Sequence, residues 1–258
     1  MTEAAMTEAV MTEADEDEAA RTGAAASGWV PAPIDPVPDP WPLHGLVLRT
    51  GRLELRPDDD ASARELVTVL HDGVHRASVM PFREPWTEAD PRYLGRGVLQ
   101  YLWRERMSLS PEDWSVHFVV RLDGRVIGLQ SVTATRFAVL REVCTGSYLG
   151  RHFQGQGHGT AMRAAVLAFA FGYLGATTAR SEYFAGNAAS AAVSARLGYR
   201  TDGTRLLAPR GERVVEQRMV LDAAGFTPPG PAPEVEGWTP ELAGLLGAEW
   251  PLTSTEQH

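Results

Sequence analysis

The chain is poor in several things, and each shortage removes a class of protein. It has one cysteine, Cys144, among 258 residues. That excludes an intrachain disulfide and a cysteine-rich metal site, and makes a reducing cytoplasm the expected setting. No metal cofactor is expected. No apolar run is long enough to span a bilayer. The N-terminus is acidic and lacks an apolar core, so it does not read as a secretory signal. Positive charge is also scarce. The 24 Lys and Arg against 33 Asp and Glu leave a net charge of -9, which argues against nucleic acid or an anionic membrane as a partner.

What is present is an ordinary globular composition, 44% hydrophobic and 22% charged, with room for one sizeable core or two small ones. Residues 1–43 read as a disordered tail: Met-Thr-Glu-Ala occurs three times, Asp15 to Glu18 is acidic throughout, and six prolines fall between Pro31 and Pro42. The in-frame methionines also allow a later start. Residues 44–223 read as the folded domain. Residues 224–258 read as a second Pro-rich linker and a docking tail carrying Trp238, Leu242, Leu245, Leu246 and Trp250.

Periodicity orders the middle of the chain. Arg52 to Arg56 alternates as a strand. Asp58, Asp59 and Asp60 offer caps for a helix carrying Leu66, Val67 and Leu70. Residues 73–86 form an aromatic, proline-rich loop, and Thr87 or Asp90 starts the next helix. Trp114 to Leu122 and Arg125 to Thr133 are strands joined at Asp123-Gly124, a strong hairpin signal. Glu142 to Leu149 is a strand, Gly157 to Tyr173 an apolar helix, and Thr177 to Tyr183 a strand. Asn187 caps a helix reaching Leu197, and two further strands run near Tyr199 to Leu207 and Arg213 to Leu221.

The stretch from Tyr148 to Arg163 organises the rest. It passes from strand to helix through Gln154-Gly155-Gln156-Gly157-His158-Gly159-Thr160. A bare glycine backbone before a helix N-terminus forms an anion cradle, and pyrophosphate is its usual guest. A P-loop would need a lysine after the last glycine, and a dinucleotide fingerprint would need a different glycine spacing. The pattern Gln-x-x-Gly-x-Gly resembles the acetyl-CoA loop of the GNAT acyltransferase superfamily. Asn187-Ala188-Ala189-Ser190, followed by Ala195-Arg196-Leu197-Gly198-Tyr199, is similar to that superfamily's second signature. The resemblance spans roughly Arg49 to Leu221. It is nearest to RimJ/RimL-type enzymes, through Leu48 to Pro57, Gly73-Val74-His75, Met80-Pro81-Phe82, Pro85-Trp86-Thr87 and Thr145 to Gly150. These segments look like an actinobacterial branch using acetyl-CoA or succinyl-CoA. The sequence departs from that branch at Ala161 and Gly186, where carboxylates are expected.

The resemblance implies an α/β (α+β) GNAT fold: a mixed sheet of about seven strands with flanking helices, in which the strand entering the glycine loop and the next one splay apart. It implies direct acyl transfer from acetyl-CoA or another acyl-CoA to a primary amine, on a small molecule or a protein N-terminus, and a possible homodimer. Backbone N–H groups from Gln154 to Thr160 would hold pyrophosphate. A bulge at Tyr148 and Leu149 would position the thioester, and Asn187, Ser190 and Ser194 would line the cofactor. Glu142 is the first candidate base and Glu182 the second. His75 and His117 read as ordinary loop and strand residues. A tyrosine that many members use to protonate the departing thiolate appears here as Ser194, so Ser190 or a water is expected to serve. Met80, Phe82 and Trp86 are the expected pocket lining. Cys144 has no identifiable histidine partner to make it a nucleophile. Two other readings stay open: a transferase using aminoacyl-tRNA or a carrier-bound acyl group, and a non-catalytic acyl-CoA sensor.

Overall fold

The computed structural model describes Val37 and residues 39–251. The expected tail falls almost entirely outside these residues, as does the end of the chain after Pro251. The described chain runs β1 (Val47–Thr50), β2 (Leu53–Pro57), α1 (Asp60–His71), α2 (Pro91–Ser108), β3 (Asp113–Leu122), β4 (Arg125–Thr135), β5 (Glu142–Leu149), α3 (His158–Phe169), β6 (Thr178–Phe184), α4 (Ala188–Arg196), β7 (Arg200–Leu207), β8 (Val214–Asp222), β9 (Glu234–Glu236) and α5 (Pro240–Leu245).

Short polar side chains set the boundaries. Asp59 accepts from the Ser62 N–H at 2.6 Å while the Ser62 hydroxyl accepts from the Asp59 N–H at 3.0 Å. This reciprocal cap is worth about 1 kcal/mol to α1. Asp90 caps α2, with Pro91 at its first position. Asp123 and Gly124 take φ of 47° and 82°, the left-handed pair a two-residue hairpin needs. Asn187 Oδ1 accepts from the Ser190 N–H at 3.1 Å and starts α4.

The strands form one sheet in the order β7-β8-β6-β5-β4-β3-β2-β1-β9. Every neighbouring pair is antiparallel except β5 and β6. Among the described residues there are nine strands rather than about seven, for two reasons. The residues around Arg52 make a hairpin of β1 and β2 turning at Gly51, whose φ is 56°. After the second linker, Glu234–Glu236 adds β9 to the free edge of β1. On one face α3 and α5 cover a core that includes Leu48, Leu55, Phe118, Ile127, Met162, Leu167, Leu242 and Leu246. The Trp114 indole donates to the Leu246 carbonyl at 2.9 Å, tying the C-terminal segment down. On the other face α1 and α2 cover Val119, Val126 and Leu129. No helix among the described residues is long and apolar enough to cross a membrane.

Candidate active site

The site is built around the exit from β5. Gly150 donates to the Ile127 carbonyl and Arg151 to the Gly73 carbonyl, which pins the start of the loop. The Gln154 side chain donates to the carbonyls of Val74 and Leu149, both at 2.8 Å, so this side chain is a clamp on the loop rather than a ligand for an anion. The Gln154 N–H donates to Arg151 O and the Thr160 N–H to Gly157 O. Both residues were expected among the donors, and both N–H groups are already bonded within the loop. The N–H groups of Gly155, Gln156, Gly157, His158 and Gly159 have no acceptor among the described residues. Gly157 caps α3 at φ 88° and Gly155 sits at φ 73°, with open space where a Cβ would stand on either. The stretch from Arg151 to Thr160 contains no acidic residue and carries Arg151, His152 and His158. Five free amides at a helix N-terminus in such a setting fit a diphosphate. A separate cavity of about 210 Å³ lies beside Gly150, lined in part by Glu65, Asp72, Arg125 and His152. Its two carboxylates suit an anion poorly.

Upstream, β5 and β6 part. They pair only from Glu142↔Thr178 to Cys144↔Arg180. At the split the Thr145 hydroxyl donates to the Arg180 carbonyl at 3.3 Å. The pairing of β5 with β4 runs without a shift from Thr133↔Cys144 to Gly128↔Leu149, so the bulge expected at Tyr148 and Leu149 is not there. Alternation in an antiparallel ladder, anchored by the Gly150 to Ile127 bond, turns the backbone of Tyr148 toward β4 and those of Ser147 and Leu149 toward the opened side. The edge that meets a chain lying between the strands is therefore Ser147 and Leu149. A Cβ on Gly128 would come within 2.2 Å of the Tyr148 carbonyl, so only glycine lets β4 lie this close.

One side of the opening is lined by the loop between α1 and α2. Phe82 and Trp86 pack on each other at 5.0 Å and on the Tyr148 ring at 6.2 and 5.5 Å; Met80 is half-buried on the same loop. Burial holds the Tyr148 phenol well above its ordinary value, so it stays protonated. Arg83 bonds Glu216 at 2.6 and 3.0 Å and lies 3.5 Å from Glu182. The Cys144 thiol donates to Glu182 at 3.6 Å. Burial first, and the Glu182 charge next, push that thiol up to about 12, which leaves it inert as a nucleophile. Of the candidate bases, Glu182 stands beyond the split, whereas Glu142 lies where the strands still pair and is held by Arg180 at 2.7 Å. His75 lies 2.7 Å from the Thr87 hydroxyl within its loop. His117 is buried under α2, 3.9 Å from Glu105.

The other side of the opening is covered by α3 and α4. Asn187 spends its carbonyl on capping. The Ser190 hydroxyl is half-buried and bonds no described residue. Ser194 is fully buried, and its hydroxyl accepts from the Arg163 guanidinium at 3.2 Å. The other guanidinium amine lies 3.4 Å from the Ser147 hydroxyl. Arg163 was not among the expected residues; a lone arginine in an apolar helix, with no acidic residue one turn away, is the signal that marks it.

A model of the acetyltransferase (GNAT) domain family matches residues 52–200. RimJ of Mycobacterium smegmatis, solved in complex with CoA-disulfide, superposes with a TM-score of 0.60 at 21% identity, over 71% of this chain and 90% of that one. A ribosomal-protein-S5-alanine acetyltransferase of Vibrio fischeri gives 0.56 at 20%, over 70% and 99%. RimL, a ribosomal L7/L12 alpha-N-protein acetyltransferase, gives 0.54 at 16%, over 68% and 93%. The family match takes in the glycine loop, the parted strands and α4 together, and the chain belongs to the acetyltransferase (GNAT) family and is an N-acyltransferase.

Proposed function

We propose that the chain moves an acetyl, succinyl or other short acyl group from a coenzyme A thioester to a primary amine, on a small molecule or a protein N-terminus. The observation that carries this is the pairing of five free amides, Gly155 to Gly159, with an unzipped strand edge directly upstream. Coenzyme A, when bound, supplies an activated acyl carbon on a thiol leaving group. The amides of Gly155 to Gly159 would bind its diphosphate, and Ser147 and Leu149 would donate backbone hydrogen bonds to the arm and to the thioester oxygen.

The amine would approach from the side of Phe82, Trp86 and Tyr148, which exclude water. Glu182, or a water bound to it, would receive the amine's proton. Arg83 bridges Glu182 and Glu216 and fixes that carboxylate in place. The likeness to RimJ- and RimL-type structures adds a peptide α-amine to the acceptors worth testing. Thiol release measured over a panel of acetyl-, propionyl- and succinyl-CoA with amines and short peptides is expected to rise with acceptor for at least one combination. Thioester hydrolysis that no amine accelerates would contradict the proposal.

A further inference from the structure

The charge on Arg163 has no counterpart among the described residues. The residue is 5% exposed, and its two hydrogen bonds go to neutral hydroxyls, Ser194 at 3.2 Å and Ser147 at 3.4 Å. Its Nε is buried without a partner. No carboxylate among the described residues lies within 4.0 Å of it. The titratable groups that act on it are Tyr199 and Cys144. Both are held protonated by burial. Glu182 is engaged from the other side by Arg83. Guanidinium does not give up its proton in proteins, and an unpaired buried charge is destabilising. A fold that keeps one has placed it where an anion arrives during function. The place is specific: Ser147 is the first residue beyond the split whose backbone faces the opening, so Arg163 stands against the sulfur end of an arm anchored at Gly155 to Gly159.

Resting on the acyl-transfer reading above, we infer that Arg163 is a catalytic residue that holds the departing thiolate of coenzyme A. The amine nitrogen forms the new C–N bond, the electron pair of the C–S bond leaves on sulfur, and the amine's proton goes to Glu182 or solvent. The sulfur therefore departs as an anion, and the guanidinium meets that charge without donating a proton. Ser194, at the place where many members carry a tyrosine, is sealed beneath Arg163 and bonded to it, and a fixed positive charge makes the thiol a better leaving group.

The test is calorimetric titration of the protein with CoA, and with S-methyl-CoA as a thioether that cannot ionise, across about pH 6.5 to 9.5, the range that brackets an ordinary thiol. Wild-type protein is expected to favour CoA over S-methyl-CoA increasingly as pH rises, with the bound thiol ionising at least about one pH unit below the free thiol, a tenfold change in its acidity. Arg163→Leu is expected to lose that preference, to bind S-methyl-CoA as wild type does, and to melt at the same or a higher temperature, since an unpaired buried charge is removed. A bound thiol in wild type that ionises no earlier than the free one overturns the assignment without any variant. So does Arg163→Leu that weakens both ligands equally, because the residue then only grips the arm. Wild-type protein that binds neither ligand overturns the acyl-transfer reading and this assignment with it.

Discussion

Two glutamates on adjacent strands differ in what their neighbours allow. Glu142 is ion-paired to Arg180 where β5 and β6 are still joined. Glu182 stands past the split, 3.5 Å from Arg83 and hydrogen-bonded by Cys144. Glu182→Gln is expected to lower kcat by about 100-fold or more, the usual worth of a positioned base, whereas Glu142→Gln should stay within a few-fold of wild type. Steady-state kinetics on both variants decides between them, and the reverse order would move the base to Glu142. The sequence shows both carboxylates at matching places on their strands but not where the strands separate, because that depends on pairing between residues far apart in the chain, Glu142 with Thr178. Arg163 stands out in its apolar helix, but its partners do not: whether its charge is paired is decided by the sheet and α4, at Ser147 and Ser194.

The strand-loop-helix unit from β5 to α3 is where we place the coenzyme, and most of its form was legible. Glycine at Gly155 and Gly157 is required by positive φ, and a helix N-terminus follows. What the pattern could not show is how far the free amides extend. That follows from which N–H groups the loop spends on its own turns, at Gln154 and Thr160. Gly157→Glu puts a strained left-handed φ and a negative charge into the cradle. CoA binding by calorimetry is expected to fall below detection while the melting temperature drops only a few degrees, as about 1–2 kcal/mol of backbone strain implies. Binding at wild-type affinity would place the diphosphate elsewhere. Element boundaries set by caps, at Asp59, Asp90 and Asn187, were readable because a cap is local. The short β9 was not, because three residues have no periodicity and are recruited by the open edge of β1.

Over the molecule as a whole, stability carries a pH signature away from the site. Asp58 is 4% exposed and lies 3.2 Å from Arg106. Burial outweighs the arginine and raises its carboxyl to about 6 from 3.8. The folded chain thus keeps a proton the unfolded chain has released. The stability this contributes is full below about pH 4 and is lost as pH rises to about 6, up to roughly 3 kcal/mol. Asp58→Asn removes that loss. In urea titrations its stability relative to wild type should climb between about pH 4 and 7 and then level off; a constant difference would show that Asp58 does not titrate in this range.

Acyl-CoA binding as proposed requires the backbone amides of the glycine loop to meet the diphosphate. Hydrogen–deuterium exchange read residue by residue, with and without CoA, addresses them individually. The amides of Gly155 to Gly159 are expected to exchange fast in the free protein and to become protected when CoA is added, while those of Gln154 and Thr160, already bonded within the chain, change less. Saturating CoA that leaves Gly155 to Gly159 unprotected would contradict it.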